Sequence, residues 1–316
     1  MSSELFRVVT PMDALSKIFE AFQPNIGHER VPLEDALSRI VAVPIYASEQ
    51  SPSFSRSAMD GFAVRGADTY GASDGLPSYV LVQGEVQMGR SAVRPVTSGT
   101  AQRIHTGGMI PPGADAVVMV EYTQTIDEQA IEVTRPVAPG ENVIQAGEDL
   151  AVGDLILSAG RRVRPQDIGV LAALGIHELV VTRRPVIGLL ATGDEIVDRT
   201  SKPAPGQVRD VNTSVLSGFI TEIGALSKPY GIAPDDRSAL TRLASKALST
   251  CDMLVITAGS SVSARDLTAD VIGDLGMPGV LAHGLTVKPG KPTIGAVCNG
   301  KPVFGLPGNP VSAIVV

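Results

Sequence analysis

Two Pro/Gly loops late in the chain, Lys288-Pro289-Gly290-Lys291-Pro292 and Leu306-Pro307-Gly308-Asn309-Pro310, flank a short apolar hairpin turned at Asn299-Gly300. Asn-Gly is the dipeptide that type I′ turns favour. The first loop carries Lys288 and Lys291. The second runs into Val311-Ser312-Ala313-Ile314, which reads as a helix start with proline in the first-turn position it tolerates. A strand, a glycine-rich turn and a helix N-terminus leave backbone N–H groups for an oxyanion, and neighbouring lysines suit phosphate. Two earlier loops add hydroxyls and acids: Ala191-Thr192-Gly193-Asp194-Glu195 and Ala258-Gly259-Ser260-Ser261. Asp210 stands just before a helix start. Carboxylates gathered there would hold a hard cation through oxygen, Mg²⁺ bridging substrate phosphates being the chemistry that fits. Lysines and amides would hold the phosphates, and opposed charges in one cleft describe metal-assisted phosphate-ester chemistry. Taken singly, each loop is also what an ordinary turn or helix cap looks like.

For the loops to meet, the strands before them must be parallel neighbours. From Pro185 onward the pattern supplies this. Residues 186–190 and 253–257 read as buried strands and 230–233 as a short one. Asn212 is placed to cap a helix over 213–223 whose Val215, Leu216, Phe219, Ile220 and Ile223 form one apolar face. Leu240, Leu243, Ala244, Ala247 and Leu248 mark a second helix, and residues 268–275 a third. Such alternation predicts a doubly wound, mostly parallel α/β sheet, with ligands beyond the carboxyl ends of its strands.

The first half reads differently. Met12, Leu15, Ile18, Phe19 and Phe22 have helical spacing, and Val31-Pro32-Leu33-Glu34-Asp35-Ala36-Leu37 reads as a second helix start with acids in its first turn. Residues 79–143 read as short strands between Gly, Pro and Asp turns, a barrel-like or sandwich β insert. Arg164-Pro165 opens a helix that Gly175 ends, and Arg183-Arg184-Pro185 is a hinge. The expected architecture is multidomain α+β and α/β: residues 1–50 with 148–180 as a linking part, 51–147 as the β-rich insert, and 181–316 as the α/β part. Two polar stretches stand out in the insert, Arg56-Ser57-Ala58-Met59-Asp60-Gly61 and Arg103-Ile104-His105-Thr106-Gly107-Gly108. His105 has no second histidine at metal-site spacing, so it reads as a solvent-facing or turn-capping group.

Composition narrows the classes. With 316 residues, 44% hydrophobic and 19% charged, the chain is globular and long enough for two or three domains. A net charge of −7, from 26 basic and 33 acidic residues, disfavours a broad nucleic-acid or anionic-membrane surface. Aromatic residues at 4%, with no Trp, argue against a base-stacking platform. The two cysteines, Cys251 and Cys298, lie among apolar residues in expected strands and read as buried thiols in a reducing compartment. No apolar run reaches membrane-spanning length and the first residues lack a signal-peptide pattern, so a cytoplasmic location is expected.

Ser57-Ala58-Met59-Asp60-Gly61, Ile104-His105-Thr106-Gly107, Pro112-Gly113-Ala114-Asp115-Ala116, Gly147-Glu148-Asp149, Thr192-Gly193-Asp194-Glu195, Asp210-Val211-Asn212, Lys288-Pro289-Gly290-Lys291-Pro292 and Leu306-Pro307-Gly308-Asn309-Pro310 occur in one order. In that order the chain resembles the molybdopterin molybdenumtransferase family, the MoeA proteins and the E domain of gephyrin, from about residue 31 to the end. The resemblance implies molybdenum cofactor synthesis: Mg²⁺-dependent hydrolysis of adenylylated molybdopterin, insertion of molybdate at the dithiolene and release of AMP. It implies a homodimer whose N-terminal part serves dimerisation, with a site shared between subunits and an upstream molybdopterin adenylyltransferase as partner. By position, Glu195, Asp210 and Asp266, with Asp60 and Asp149 from the partner subunit, look like the acidic group, and Glu195, Asp210, Asp266 and Asp60 like the metal side. Thr106, Thr192, Gly193, Asp194, Gly259, Ser260, Ser261, Lys288, Gly290, Lys291 and Pro307 to Pro310 look like the substrate and anion side.

Two departures bear on activity. The run Gly259-Ser260-Ser261-Val262-Ser263-Ala264-Arg265-Asp266 is one residue shorter than the family's, with an arginine before the acid. The family also has a further small β domain beyond the position of Val316, so a shortened chain is expected. The alternative to a transferase is a non-catalytic molybdopterin or molybdate carrier or regulatory relative. A peptide-binding scaffold and a competence-damage nucleotide-processing protein rank below it, the latter because that family lacks the Ser57–Gly61 and Gly147–Asp149 stretches.

Overall fold

The structure is a computed structural model that describes residues 8–127, 129–258 and 262–316, with the side chains of 262–265 excepted. The chain divides into two compact units, Arg30–Val181 and Met1–Glu29 with Thr182–Val316. The first helix, α1 (Pro11–Ala21), starts where the local signals say it should: Thr10 Oγ1 accepts from Asp13 N at 3.1 Å and Pro11 occupies the first helical position. It belongs with the α/β part and not with residues 148–180, as the sequence grouping had it. Its Ala14 packs with Ala282 and Leu285, and Val9 bridges to Leu285.

In the unit 30–181, β1 (Gly61–Val64), β2 (Ser78–Glu85), β3 (Thr100–Ile104), β4 (Ala116–Met119), β5 (Thr123–Asp127) and β6 (Ala130–Val133) form one sheet in the order β4-β1-β3-β2-β6-β5. Only β2 and β3 run parallel. The hydrogen-bonded ladder is not closed, but its two edge strands, β4 and β5, are joined only by Val120–Tyr122, too few residues to span five strand spacings, so the sheet curls round in the barrel-like manner expected. Period-two alternation gives it two apolar faces: Phe62, Val64, Ala116 and Val118 enter one core, Ala63 and Val117 the other. Gly61 is required by close approach, since a methyl there would fall 1.9 Å from the Val118 carbonyl oxygen.

A separate core in the same unit gathers Val31, Leu33, Val41, Leu157, Leu171 and Val181 around α2 (Pro165–Ala173). The helix expected at 31–37 is absent. His28–Pro32 is a strand and Leu33–Asp35 a single 3₁₀ turn. Pro32 is extended (φ −56°, ψ 152°), Leu33 N donates to His177 O at 2.9 Å, and Ser38 turns the chain away at φ +63°. Tertiary pairing of Leu33 outweighs the acidic first-turn signal.

The α/β unit matches its pattern closely. Strands β7 (Val186–Thr192), β8 (Leu226–Ala233), β9 (Met253–Ala258), β10 (Pro278–His283), β11 (Ile294–Cys298) and β12 (Lys301–Pro307) order as β8-β7-β9-β12-β11-β10. The first four are parallel and the last two join antiparallel. The hairpin between β11 and β12 turns at Asn299 (φ +52°) and Gly300 (φ +76°), the pair of positive angles a type I′ turn needs. Helices α3 (Asn212–Glu222), α4 (Arg237–Thr250), α5 (Val262–Asp274) and α6 (Pro310–Val315) cover both faces. Leu190, Leu254 and Ile256 meet Leu240, Ala244, Leu248 and Ile272 on one side, while Ile187, Leu189 and Val255 meet Ile220 and Ala313 on the other. The strands are apolar on both faces because both faces are covered.

Three local readings need correction. The expected apolar face of α3 is only half used: Ile220 is buried, whereas Phe219 and Ile223 are exposed. Helix α5 begins at Val262, six residues ahead of the expected 268. Cys251 lies in no strand; it follows α4 as its C-cap residue, while Cys298 does end β11. Burial pushes the Cys298 thiol up to about 11, and its Sγ–H donates to Ile272 O at 3.3 Å. Burial also raises the Cys251 thiol. Both should therefore resist a thiol-specific disulfide reagent at pH 8 in the native protein and react together once it is unfolded in guanidinium. Rapid native labelling of either would contradict the packing described.

Candidate active site

The chain leaves β7 through α3 to reach β8 on one side, then crosses by α4 to β9 on the other. The crevice between the carboxyl ends of β7 and β9 is therefore the topological switch point, where open α/β sheets bind ligands. A cavity of about 490 Å³ lies there. Its walls come from Ala191 and Thr192 of β7, Thr257 and Ala258 of β9, Gly308, Asn309 and Pro310 after β12, and Glu195, Ile196 and residues 208–212.

The sequence positions each lining residue locally. A parallel two-strand ladder, Ile196–Val197 with Val208–Arg209, leads into α3. It is bounded by Val208 N to Glu195 O at 2.8 Å and Asp210 N to Val197 O at 2.9 Å. Glu195 and Asp210 are thereby fixed on the same small ladder. Asp210 Oδ1 accepts from Thr213 N at 3.0 Å, so Asp210 is the residue that caps α3 and not Asn212 as expected. Asn212 is buried and its Nδ2 donates to Gly308 O at 2.8 Å, joining the start of α3 to the turn after β12. Asn309 accepts from Val311 N at 3.1 Å and starts α6, with Pro310 in first position. Thr192 Oγ1, almost fully buried, donates to Asp235 Oδ1 at 3.0 Å. Gly193 has φ +150°, and a methyl there would lie 2.7 Å from Glu195 Oε2, so only glycine lets the Glu195 carboxylate fold back beside the strand end.

Other expected residues stand elsewhere. Asp194 Oδ1 accepts from Asp235 N at 3.2 Å and is not among the lining residues, so it buttresses the loop after β8. Asp266 is exposed on α5, and Pro307 is the last residue of β12, paired with Ala258. Gly259, Ser260 and Ser261 lie outside the described residues. Lys288 and Lys291 sit on the same sheet edge, because β11 runs antiparallel and begins there, but both are exposed and neither lines the cavity. Their loop is two strand spacings beyond β9, roughly 10 Å along the sheet. Gly290 (φ +112°) is buried, and its carbonyl accepts from Thr293 Oγ1 at 2.7 Å. Among the described residues the cation that does line the cavity is Arg209, which composition and motif reading passed over. Its place immediately before Asp210 was the available signal.

The unit 30–181 holds the remaining expected residues. Asp60 Oδ1 accepts from Thr106 N at 2.8 Å and Thr106 Oγ1 at 3.3 Å. The Thr106 backbone bond is the largest cause holding the Asp60 carboxyl below its ordinary range, and His105 adds to it. His105 Nδ1 lies 3.4 Å from Asp60 Oδ1 and Nε2 2.9 Å from Glu85 Oε1, so His105 bridges two carboxylates as no sequence signal foretold. Asp149 is exposed in a loop whose backbone pairs with Ser51, Asp149 N donating to Ser51 O at 3.0 Å. Among the described residues no three of His, Cys, Asp and Glu form a group able to hold a metal by themselves.

Residues 9–175 match the MoeA N-terminal region (domain I and II), and residues 188–316 match the probable molybdopterin binding domain. The chain belongs to the MoeA family of molybdenum cofactor biosynthesis, several of whose members are named as transferases. The molybdopterin molybdenumtransferase of Bacillus subtilis is 35% identical over 312 residues, covering 98% of this chain and 72% of that protein. That of Haemophilus influenzae is 33% identical over 309 residues, covering 98% and 74%. A crystal structure of the MoeA protein from Pyrococcus horikoshii superposes with a TM-score of 0.85 at 34% identity, covering 98% of this chain and 76% of that one.

Proposed function

We propose that this chain is a molybdopterin molybdenumtransferase: it hydrolyses adenylylated molybdopterin, inserts molybdate as substrate and releases AMP. The observation that carries this reading is the crevice at the end of β7 and β9, where Glu195 and Asp210 face one cavity beside the Asn212–Gly308 bond. Two carboxylates on one wall suit Mg²⁺, which commonly takes one or two carboxylates and completes its shell with substrate phosphates and water. When bound, the ion would neutralise charge on the phosphate being cleaved. Glu195 and Asp210 would hold it, and Asp266 would complete the acidic group. Thr192 and the Gly308–Pro310 turn would orient the substrate in the crevice. Lys288 and Lys291 would hold molybdate on the outer part of the sheet edge.

The same proposal includes a homodimer, with Asp60, Thr106 and Asp149 supplied by a partner subunit, an adenylyltransferase as upstream partner, and a cytoplasmic location. No helix among the described residues is long and apolar enough to cross a membrane. The test is AMP release from adenylylated molybdopterin, with and without Mg²⁺ and molybdate. Release that needs both ions supports the transferase. Stable binding of the nucleotide without AMP release, under both ions, would favour the carrier and count against turnover.

A further inference from the structure

We infer that Arg209 is the group that holds the substrate's phosphate in the crevice, an assignment that rests on reading that crevice as the substrate site. Arg209 lines the same cavity as the two acids and directly precedes Asp210 in sequence. Its backbone is fixed on both sides, in register with Val197 on the two-strand ladder and followed by the Asp210 N–Val197 O bond of 2.9 Å. Its Nε donates to Ser201 O at 2.9 Å, which sets the direction of the guanidinium plane. Among the described residues neither of its Nη groups has a protein partner, and Arg209 forms no ion pair with Glu195 or Asp210, although all three line one cavity.

A guanidinium beside two carboxylates ordinarily closes on one of them. Here Asp210 is engaged with Thr213 N and the Arg209 Nε with Ser201 O, so the two Nη groups of this exposed, cavity-lining arginine are left for a ligand. Two parallel N–H groups at a fixed spacing match two oxygens of a phosphate, which a lysine ammonium cannot match bidentately. Beside an ion held by Glu195 and Asp210, Arg209 is the cationic side chain that lines this cavity among the described residues, and Lys288 and Lys291 do not line it. The open fork separates two roles: Arg209 takes the phosphate ester at the switch point, and the lysine loop takes the second oxyanion farther along the edge.

The test is calorimetric binding of AMP, inorganic pyrophosphate and molybdate to the full chain and to Arg209→Gln, Arg209→Lys and Lys291→Ala, with unfolding midpoints recorded for each. Arg209→Gln should weaken both phosphate probes at least about tenfold, the loss expected for a charge-assisted contact. It should leave molybdate binding within twofold. Arg209→Lys should recover only part of the AMP affinity, because it keeps the charge and loses the fork, and the salt dependence of AMP binding should fall in Arg209→Gln alone. Lys291→Ala should show the reverse pattern. If the chain binds pyrophosphate through Arg209 but does not bind AMP, the arginine assignment stands and the adenylylated-substrate reading fails. Equal phosphate affinity in Arg209→Gln and the parent chain, or no phosphate binding by either, overturns the assignment.

Discussion

Replacing Glu195 with glutamine or Asp210 with asparagine should lower Mg²⁺-dependent AMP release about 100- to 1,000-fold, the scale seen when one preorganised charge-stabilising group is removed. Both variants should keep their fold. Asparagine at 210 retains an oxygen for Thr213 N, the 3.0 Å bond that caps α3, so its unfolding midpoint should stay near that of the parent. Asp210→Ala loses that acceptor as well and should cost about 0.5–2 kcal/mol of stability in addition to activity. The contrast separates the two duties of one carboxylate. Unchanged release in Glu195→Gln and Asp210→Asn would remove both from the catalytic machinery. A mixing experiment extends the test to the proposed shared site. Asp60→Ala and Asp210→Ala are each expected to be inactive when assayed alone. Mixed subunits should regain part of the activity if Asp60 serves a partner's crevice, and none if each subunit is self-sufficient.

The second large effect concerns stability. Asp252 precedes β9 and ties it to the start of β7: Arg183 donates to its two oxygens at 2.8 and 2.9 Å, and Val186 N to Oδ2 at 2.7 Å. Asp252→Ala would leave a backbone donor and a partly covered guanidinium without their acceptor, at a cost of about 2–4 kcal/mol. The pH dependence has a definite sign. The Arg183 hydrogen bonds, and then the Val186 amide, hold the Asp252 carboxyl below its ordinary value. Its folded pKa is therefore depressed, so its stabilisation is present above the unfolded pKa of about 3.9 and is lost as pH falls through the folded value. Denaturant midpoints of the parent and Asp252→Ala should differ by a constant amount above about pH 5 and converge below about pH 4. A constant gap down to pH 2 would contradict this account.

Elements whose signals are local were legible in the chain. Thr10 and Pro11 start α1, Asn299-Gly300 turns the hairpin, and the apolar runs of β7 and β9 follow from burial on both faces. What stayed hidden depends on tertiary partners. Pro32 is extended and Leu33 opens a single 3₁₀ turn because the Leu33 N–H reaches His177 O, a pairing 144 residues away in sequence that no first-turn acid can report. Asp210 and Asn212 are both good caps by type, and only the Gly308 carbonyl decides that Asn212 faces away from its own helix. The lysine loop was read correctly as part of the carboxyl edge. Its distance from the crevice depends on strand order, because β12 lies between β9 and β11. Arg209 carries no signal in the sequence beyond its place before Asp210, and that Ser201 O holds its Nε is visible only in the fold.

The central claim is that the crevice at the ends of β7 and β9 receives the substrate's phosphate. A crystal structure of the chain with AMP and Mg²⁺ tests it most directly. The account predicts a phosphate in hydrogen-bond reach of Arg209, with the ion between it and Glu195 or Asp210. AMP ordered only against the Lys288–Pro292 loop, with the crevice holding solvent at saturating nucleotide, would contradict it.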